Sequence, residues 1–314
     1  MVSDRTLRFV LRSEARVALL GDLIRSITAV IAVGVVGWYL AYYTALSRTV
    51  FVDLHMNDFG KFYYSARAFL EGADMYAPTP ATAMPVGQGR TLEFANMNPP
   101  HFHLLVLPIA RLQPLPAILV WTLVSVLGLA ISVRAVAREI GIRWTASRIL
   151  WALLGILVCS ATEATILTGQ VSFVLLLPLT LAWVAARRGR WRASAVWLGV
   201  LASLKPFFVV FAIYLIVKRR VAATLTMGAA ALACSLLGLA VFGWDAYRSW
   251  VSALRGIQWT WAVMNASLHA PLARALTNNP FFTPLALAPE AVTPIGVALG
   301  LVAATIAFVV IARD

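Results

Sequence analysis

Few side chains in this sequence can do chemistry, because 61% of its 314 residues are hydrophobic and only 12% are charged. Asp58 stands out first. It lies in "HMNDFGKFYYSARAFLEG" (55–72), ahead of Phe59, Phe62, Tyr63 and Tyr64, with Lys61 and Arg67 among them. A carboxylate there can cap a helix and take the favourable end of its dipole. It can equally accept a proton from a hydroxyl presented at a membrane surface. Asp53 is a rival for that second role, with Glu71 and Asp74 further along. Lys205 is the other conspicuous charge, beside Pro206 in the middle of the apolar stretch 193–217. Such a lysine either snorkels to the interface or awaits an anion, and phosphate is the natural anion of a membrane surface.

The remaining polar candidates sit at breaks between apolar runs. Asn98 lies in "FANMNPPH" (94–101), where two prolines stop any helix and force an extended entry into the next segment. It is either a turn residue or points into a cavity. Gln170 follows Gly169 in "TEATILTGQVSF" (162–173), a turn between two apolar helices. Glu163 in the same stretch must face protein or water, since a charge at the bilayer centre costs about 2.5–3.5 kcal/mol. "MNASLHAPLAR" (264–274) places Asn265, His269 and Arg274 on one short helical piece, a hydrogen-bonding set suited to a sugar or a phosphate. Asn265-Ala266-Ser267 also matches a glycosylation acceptor, a pattern with little specificity. Tryptophans 244, 250, 259 and 261 precede it as an interfacial belt. His101 and His103, two residues apart, are poor evidence for a metal site. No phosphate-binding glycine loop, dinucleotide fingerprint or serine-elbow motif occurs. Neither a metal nor another cofactor is expected.

The elements that position these residues must be membrane helices. Several apolar runs approach or exceed the ~20 residues needed to cross a bilayer. The net charge of +13 is concentrated in short clusters between those runs, the pattern of cytoplasmic loops rather than of a nucleic-acid surface. Cys159 and Cys234 both fall inside apolar runs and read as small core residues. Arg5, Arg8, Arg12 and Arg16 precede a hydrophobic stretch from Ile24 to Leu46, which is long enough for an uncleaved signal anchor.

Basic clusters at the N-terminus, Arg134–Arg148, "RRGRWR" (187–192) and "KRR" (218–220) fix the threading by the positive-inside rule. The expected architecture is a single all-α, multi-pass membrane domain over 1–314. Its first outer loop covers about 47–100 and its second about 244–290. Residues 193–217 lie between two clusters that belong on one side, so they read as a re-entrant hairpin breaking at Lys205-Pro206. "HFHLLVLPIARL" (101–112) is too short to span and must dip or lie at the interface. Asp58, Asn98, Gln170, Lys205 and Asn265 then share the outer face. Broken backbone at membrane depth survives only in protein or beside a wet cavity, which points to a cavity opening outward.

In order along the chain, "DFGKFYYSARAFLEGADMYAP", "NPPHFHLLVLPIARL", "TGQVSFVLLLPL", "GVLASLKPFFVVF" and "NASLHAPLAR" resemble glycosyltransferase family 87, over about residues 53–275. The resemblance implies a GT-C-type bundle in the inner (plasma) membrane, with its active site on the extracytoplasmic side. It implies transfer of a sugar, mannose by analogy with the mannosyltransferase-type members, from a polyprenyl-phosphate donor to a lipid or glycan acceptor. The first-loop aspartate of those members maps onto Asp58 as catalytic base, and Gln170, Lys205 and Asn265 map onto cavity-lining positions. Lys205 is the expected partner of the leaving phosphate, with Arg274 in reserve. Tyr63 and Tyr64 lie on the helix expected to hold the acceptor or the prenyl chain. The chain departs from the family in ending just after Arg313, where further C-terminal spans are the rule, and in the wording of "NASLHAPLAR". The rival expectation is a transporter or flippase for a lipid-linked sugar, since broken helices around a midplane cavity serve that purpose too. The internal repeats expected of a transporter are not evident in the sequence.

Overall fold

The computed structural model describes residues 4–51, 58–79, 82–85, 91–93, 95–256, 260–262, 265, 267–279 and 282–313. Asp53 and Trp259 lie outside the described residues. The chain is an all-α membrane bundle, with helices α1 (Asp4–Phe51), α2 (Asp58–Leu70), α3 (Pro114–Glu139), α4 (Ala146–Val158), α5 (Ser160–Thr168), α6 (Ser172–Arg187), α7 (Trp191–Leu204), α8 (Val210–Val217), α9 (Val221–Arg255), α10 (His269–Leu276) and α11 (Pro289–Arg313). Short 3₁₀ turns fill Pro100–Leu105, Ile109–Arg111 and Pro206–Val209. Among the described residues the only extended pairing is a small hairpin between α2 and α3. There β1 (Ala83–Pro85) lies antiparallel to β2 (Thr91–Glu93), with Met84 opposite Leu92.

Among the described residues four helices are long and apolar enough to span a bilayer: Leu19–Leu46 of α1, α3, α9 and Pro289–Val310 of α11. A fifth span results if α4 and α5, bent by 64° at Cys159, are taken together. α6, α7 and the segment Pro206–Val217 are apolar but shorter. Leucines and isoleucines such as Leu23, Ile24, Leu225, Leu236, Leu301 and Ile306 are more than half exposed on the spans. In water that surface would be costly, whereas against lipid tails it is the expected finish.

Local sequence explains where the helices start and stop. Pro114 opens α3 at a position whose N–H has no helical partner, so the ring costs nothing there. Thr145 caps α4 by accepting the Arg148 N–H at 3.3 Å. Pro206, which cannot continue α7, forces the break at Lys205, whose backbone is extended (φ −138°, ψ 103°). α9 runs on past the end of the span read from the sequence, but it turns sharply at Gly243 (φ 77°, ψ 173°). Residues 244–255 are therefore helical, on a segment redirected at the expected boundary.

The largest core cluster joins α2, the Pro100–Leu105 turn, α3, α6, α7, α8 and α9 through Phe59, Phe62, Phe102, Trp121, Val171, Leu201, Leu215 and Met227. Three aromatics of α2 thus turn inward: Phe62 meets Phe102 edge-on at 4.8 Å, and Phe59 lies 5.6 Å from Trp121. α7 and α9 cross closely at Gly199, where any Cβ would collide with the Met227 carbonyl. Small residues at such crossings are how membrane helices gain contact without a hydrophobic driving force. α1 joins the bundle through α4 and α5: Tyr43 donates to the Leu157 carbonyl at 3.1 Å, and Tyr42 to Glu163 at 2.7 Å. Glu163 is therefore half-buried on a protein partner, as its cost in lipid requires.

Candidate active site

Asp58 occupies the first turn of α2, where the positive end of the helix favours a carboxylate. Its two oxygens have different partners. Oδ1 takes an ion pair from Lys61 Nζ at 3.2 Å, one turn along the same helix. Oδ2 accepts a short hydrogen bond from Gln170 Nε2 on the α5–α6 turn. The Asp58 side chain stays 23% exposed, so it is held in place yet reachable. Lys205 is close enough to feel attraction from Asp58 and repulsion from Lys61. Its own side chain is half-buried. Two ammonium groups thus act on one carboxylate, Lys61 through a direct ion pair and Lys205, at the α7 break, through space.

The Gln170 contact depends on the residue before it. Gly169 ends α5 in the left-handed conformation (φ 66°), which only glycine adopts freely. A Cβ at Gly169 would also collide with Cβ of Phe59, the neighbour of Asp58. On the other side, Trp121 Nε1 donates to the Gly169 carbonyl at 2.8 Å. The turn is therefore pressed against the start of α2 and tied to α3, which sets Gln170 beside Asp58.

Beneath the charged residues lies a neutral polar network. Asn96 Nδ2 meets Ser65 Oγ at 2.8 Å, His103 Nε2 at 2.8 Å and the Lys61 carbonyl at 3.4 Å. Asn96 Oδ1 accepts from the backbone and side-chain amides of Asn98 at 3.1 and 2.9 Å. Tyr76 donates to the Asn98 carbonyl at 2.7 Å, while Asn98 Oδ1 is buried without a partner among the described residues. His103 donates from Nδ1 to the Pro100 carbonyl at 3.3 Å, which leaves Nε2 free to accept from Asn96. Complete burial pushes the His103 pKa down to about 4, so the ring is neutral.

His101 makes the matching connection to α7. Its Nε2 donates to the Ser203 carbonyl at 2.9 Å, two residues before Lys205, and its Nδ1 meets the Tyr247 hydroxyl at 3.0 Å beyond the Gly243 bend. Burial lowers its pKa as well. Neither histidine belongs to a cluster able to hold a metal among the described residues. They fasten the Asn96–His103 loop to α2 and to the end of α7. Sequence reasoning missed this role, and it also missed Lys61 as a partner of Asp58, although spacing of three residues on one helix was a signal for it.

The other expected site residues are placed as follows. Tyr63 is fully buried; its hydroxyl donates to the Leu112 carbonyl at 2.8 Å and accepts from Arg67 at 2.9 Å. Tyr64 is half-buried at the edge of the same core. Asn98 belongs to the network under Lys61. Asn265, His269 and Arg274 form a separate group around α10 and α11. Asn265 donates to the Thr260 carbonyl at 2.9 Å and accepts from the Ser267 N–H at 3.0 Å. Arg274 donates to the Ala262 carbonyl at 3.1 Å and lies 5.8 Å over the Phe282 ring. The His269 ring packs on Gly296, a position where a Cβ would come within 2.8 Å of it. The structure thus joins Asp58, Lys61 and Gln170 directly, with Lys205 near enough to act on them electrostatically, while Asn265, His269 and Arg274 make their contacts around α10 and α11.

The family model described as Glycosyltransferase family 87 matches residues 96–314. The chain belongs to glycosyltransferase family 87. It is accordingly a multi-pass membrane glycosyltransferase, and membership favours this reading over a transporter. The matched region of this GT87 protein contains Asn98, Gln170, Lys205, Asn265, His269 and Arg274. Asp58 lies before it and is joined to it through Gln170. No curated protein and no solved structure matched the chain.

Proposed function

We propose that this GT87 enzyme transfers a sugar from a polyprenyl-phosphate donor to a hydroxyl of a lipid or glycan acceptor, with inversion and with Asp58 as the base. The observation that carries this reading is a reachable carboxylate fixed by Lys61 and Gln170, within the electrostatic reach of a second cation at Lys205. The acceptor hydroxyl gives its proton to Asp58 as its oxygen attacks the anomeric carbon. The bond from that carbon to the phosphate oxygen breaks on the opposite face, and polyprenyl phosphate leaves with the electron pair. A positioned base contributes typically 10²–10⁴-fold. Lys205 offsets the charge that grows on the leaving phosphate, and such electrostatic help counts most where water is scarce.

Each neighbour then has a distinct task. Gln170 holds one carboxylate oxygen in a fixed orientation, so no reorganisation is needed when the proton arrives. Lys61 neutralises the carboxylate without covering it, since both side chains retain some exposure. The half-buried Tyr64 borders the α2 surface that the prenyl chain or acceptor would follow. The α10 group of Asn265, His269 and Arg274 is assigned to the acceptor side. Mannose is the proposed sugar, and the site is proposed to face the extracytoplasmic side of the inner (plasma) membrane, consistent with basic clusters at the far ends of α6, α7 and α8. The test is transfer from labelled polyprenyl-phosphate sugars in membranes carrying wild-type or Asp58→Asn protein, with the product identified by mass. Product from the wild type alone supports the assignment; equal product from both overturns it.

A further inference from the structure

The α5–α6 turn that presents Gln170 meets α3 at two levels, and a polar group of α3 stands between them. At one level Trp121 Nε1 donates to the Gly169 carbonyl at 2.8 Å. At the other, Gly128 brings α3 so close to α6 that a Cβ would come within 3.0 Å of the Phe173 carbonyl. Ser125 lies about one helical turn from each. The helices already touch on either side of it, so they cannot close in further there. A small internal cavity of about 10 Å³ remains, lined by Trp121, Ser125, Thr165, Gly169 and Phe173, all of them buried. That is close to the least space that holds one water molecule.

The hydroxyl of Ser125 behaves unlike others near it. Serine and threonine within helices can give their proton to the carbonyl four residues back. Ser132 does so on the same helix, donating to Gly128 at 2.7 Å. On α5, Thr165 and Thr168 donate to Ala161 and Ala164 at 2.7 and 2.8 Å. Ser125 is 6% exposed, yet its Oγ has no partner among the described residues. A buried hydroxyl left unsatisfied is costly. The cavity it lines also offers unused acceptors. The Gly169 carbonyl takes one bond from Trp121 and keeps a second lone pair, and Thr165 Oγ1 can still accept after giving its proton to Ala161. One donor and two acceptors around space for a single water match the usual buried water, which makes about three hydrogen bonds. Cavities that stay dry are lined by apolar groups alone.

We propose that this cavity holds one ordered water, which accepts from Ser125 Oγ and donates to the Gly169 carbonyl and to Thr165 Oγ1. Ser125 is then a positioning residue. Through the water it fixes the peptide between Gly169 and Gln170, and the Gln170 amide in turn holds Oδ2 of Asp58. The catalytic consequence rests on the reading of Asp58 as the base; the water itself does not.

The test is a structure of the full chain in lipid nanodiscs, at a resolution that shows ordered water, paired with measurements on variants. Density is expected within hydrogen-bonding distance of Ser125 Oγ, Thr165 Oγ1 and the Gly169 carbonyl. Its absence among well-resolved side chains, or a Ser125 hydroxyl turned back to the Trp121 carbonyl, overturns the proposal. Ser125→Ala should lower the unfolding temperature and reduce kcat about threefold to tenfold, the worth of one hydrogen bond, with donor KM within about twofold. Ser132→Ala deletes a hydroxyl satisfied within α3 and should leave kcat within about twofold. Thr165→Val removes a second partner of the same water, so the double variant Ser125→Ala/Thr165→Val should be little less stable than the worse single variant. Additive losses of stability overturn the shared water. A Ser125→Ala protein as stable as wild type does so too, because an apolar group in place of an unsatisfied hydroxyl is neutral or stabilising. Lowered stability with wild-type kcat overturns the positioning role. If Asp58→Asn keeps wild-type transfer, the base assignment fails, while the density and the Ser125–Thr165 coupling in stability still decide the water.

Discussion

Gln170 donates a hydrogen bond to Oδ2 of Asp58 across 112 positions of sequence. This contact joins the first-loop helix to the turn between α5 and α6, and it fixes the carboxylate that the proposed reaction uses. Removing the amide while leaving the fold intact should loosen the base without abolishing it. For Gln170→Ala we expect kcat to fall about 10-fold to 100-fold, with little change in KM for the donor. Steady-state kinetics with a polyprenyl-phosphate sugar would show this; an unchanged kcat would remove Gln170 from the positioning role.

Gly169 should tolerate no side chain. Gly169→Ala places a non-glycine residue in the left-handed region and drives its Cβ into Phe59. Backbone strain of about 1–2 kcal/mol adds to an overpacking cost of about 1–3 kcal/mol. The variant should unfold at lower temperature in detergent and lose transfer activity together. Wild-type stability and activity would mean that the α5–α6 turn does not press on α2 as described.

Lys205 is expected to act on the leaving group rather than on the acceptor. For Lys205→Ala, kcat/KM for the lipid-phosphate donor should fall by at least tenfold, while KM for the acceptor stays within about twofold. Lys205→Arg should restore part of the loss, since charge is what the phosphate requires. Equal damage to both KM values would place Lys205 in general support of the fold.

The buried imidazole of His103 makes stability depend on pH. In the unfolded chain histidine takes its proton near pH 6.5, whereas the folded ring stays neutral down to about 4. Its contribution is therefore fully present above pH 6.5 and is lost progressively as pH falls towards 4, by on the order of 3 kcal/mol. Thermal unfolding of the purified protein between pH 8 and pH 4.5 should show the decline. His103→Asn should start from lower stability and decline less; a parallel decline would assign the effect to other groups.

The spans were legible because a bilayer demands long apolar runs, and α1, α3, α9 and α11 supply them with few interruptions. The break at Lys205-Pro206 was legible as well, since proline has no N–H to continue a helix. The direction of the α2 aromatics was not. Alternating aromatic and basic residues suit a helix lying on headgroups and equally one packed on protein, and here Phe59, Phe62 and Tyr63 are buried. His101 and His103 also could not be interpreted from spacing. Their partners, Ser203, Tyr247 and Asn96, come from elements that only the tertiary fold brings near. Asp58 and Gln170 could each be singled out as unusual, but a helix start and a helix-to-helix turn carry no sequence signal that they touch.

The most direct measurement of the central claim is the rate of sugar transfer from labelled polyprenyl-phosphate mannose by Asp58→Asn, compared with wild type at equal folded concentration in membranes. Asparagine keeps the size of the side chain and the acceptor oxygen facing Gln170, but it cannot take the hydroxyl proton. The account predicts a loss of about 10²–10⁴-fold in kcat, with donor binding largely retained. A variant that transfers mannose at the wild-type rate would contradict the assignment of Asp58 as the base.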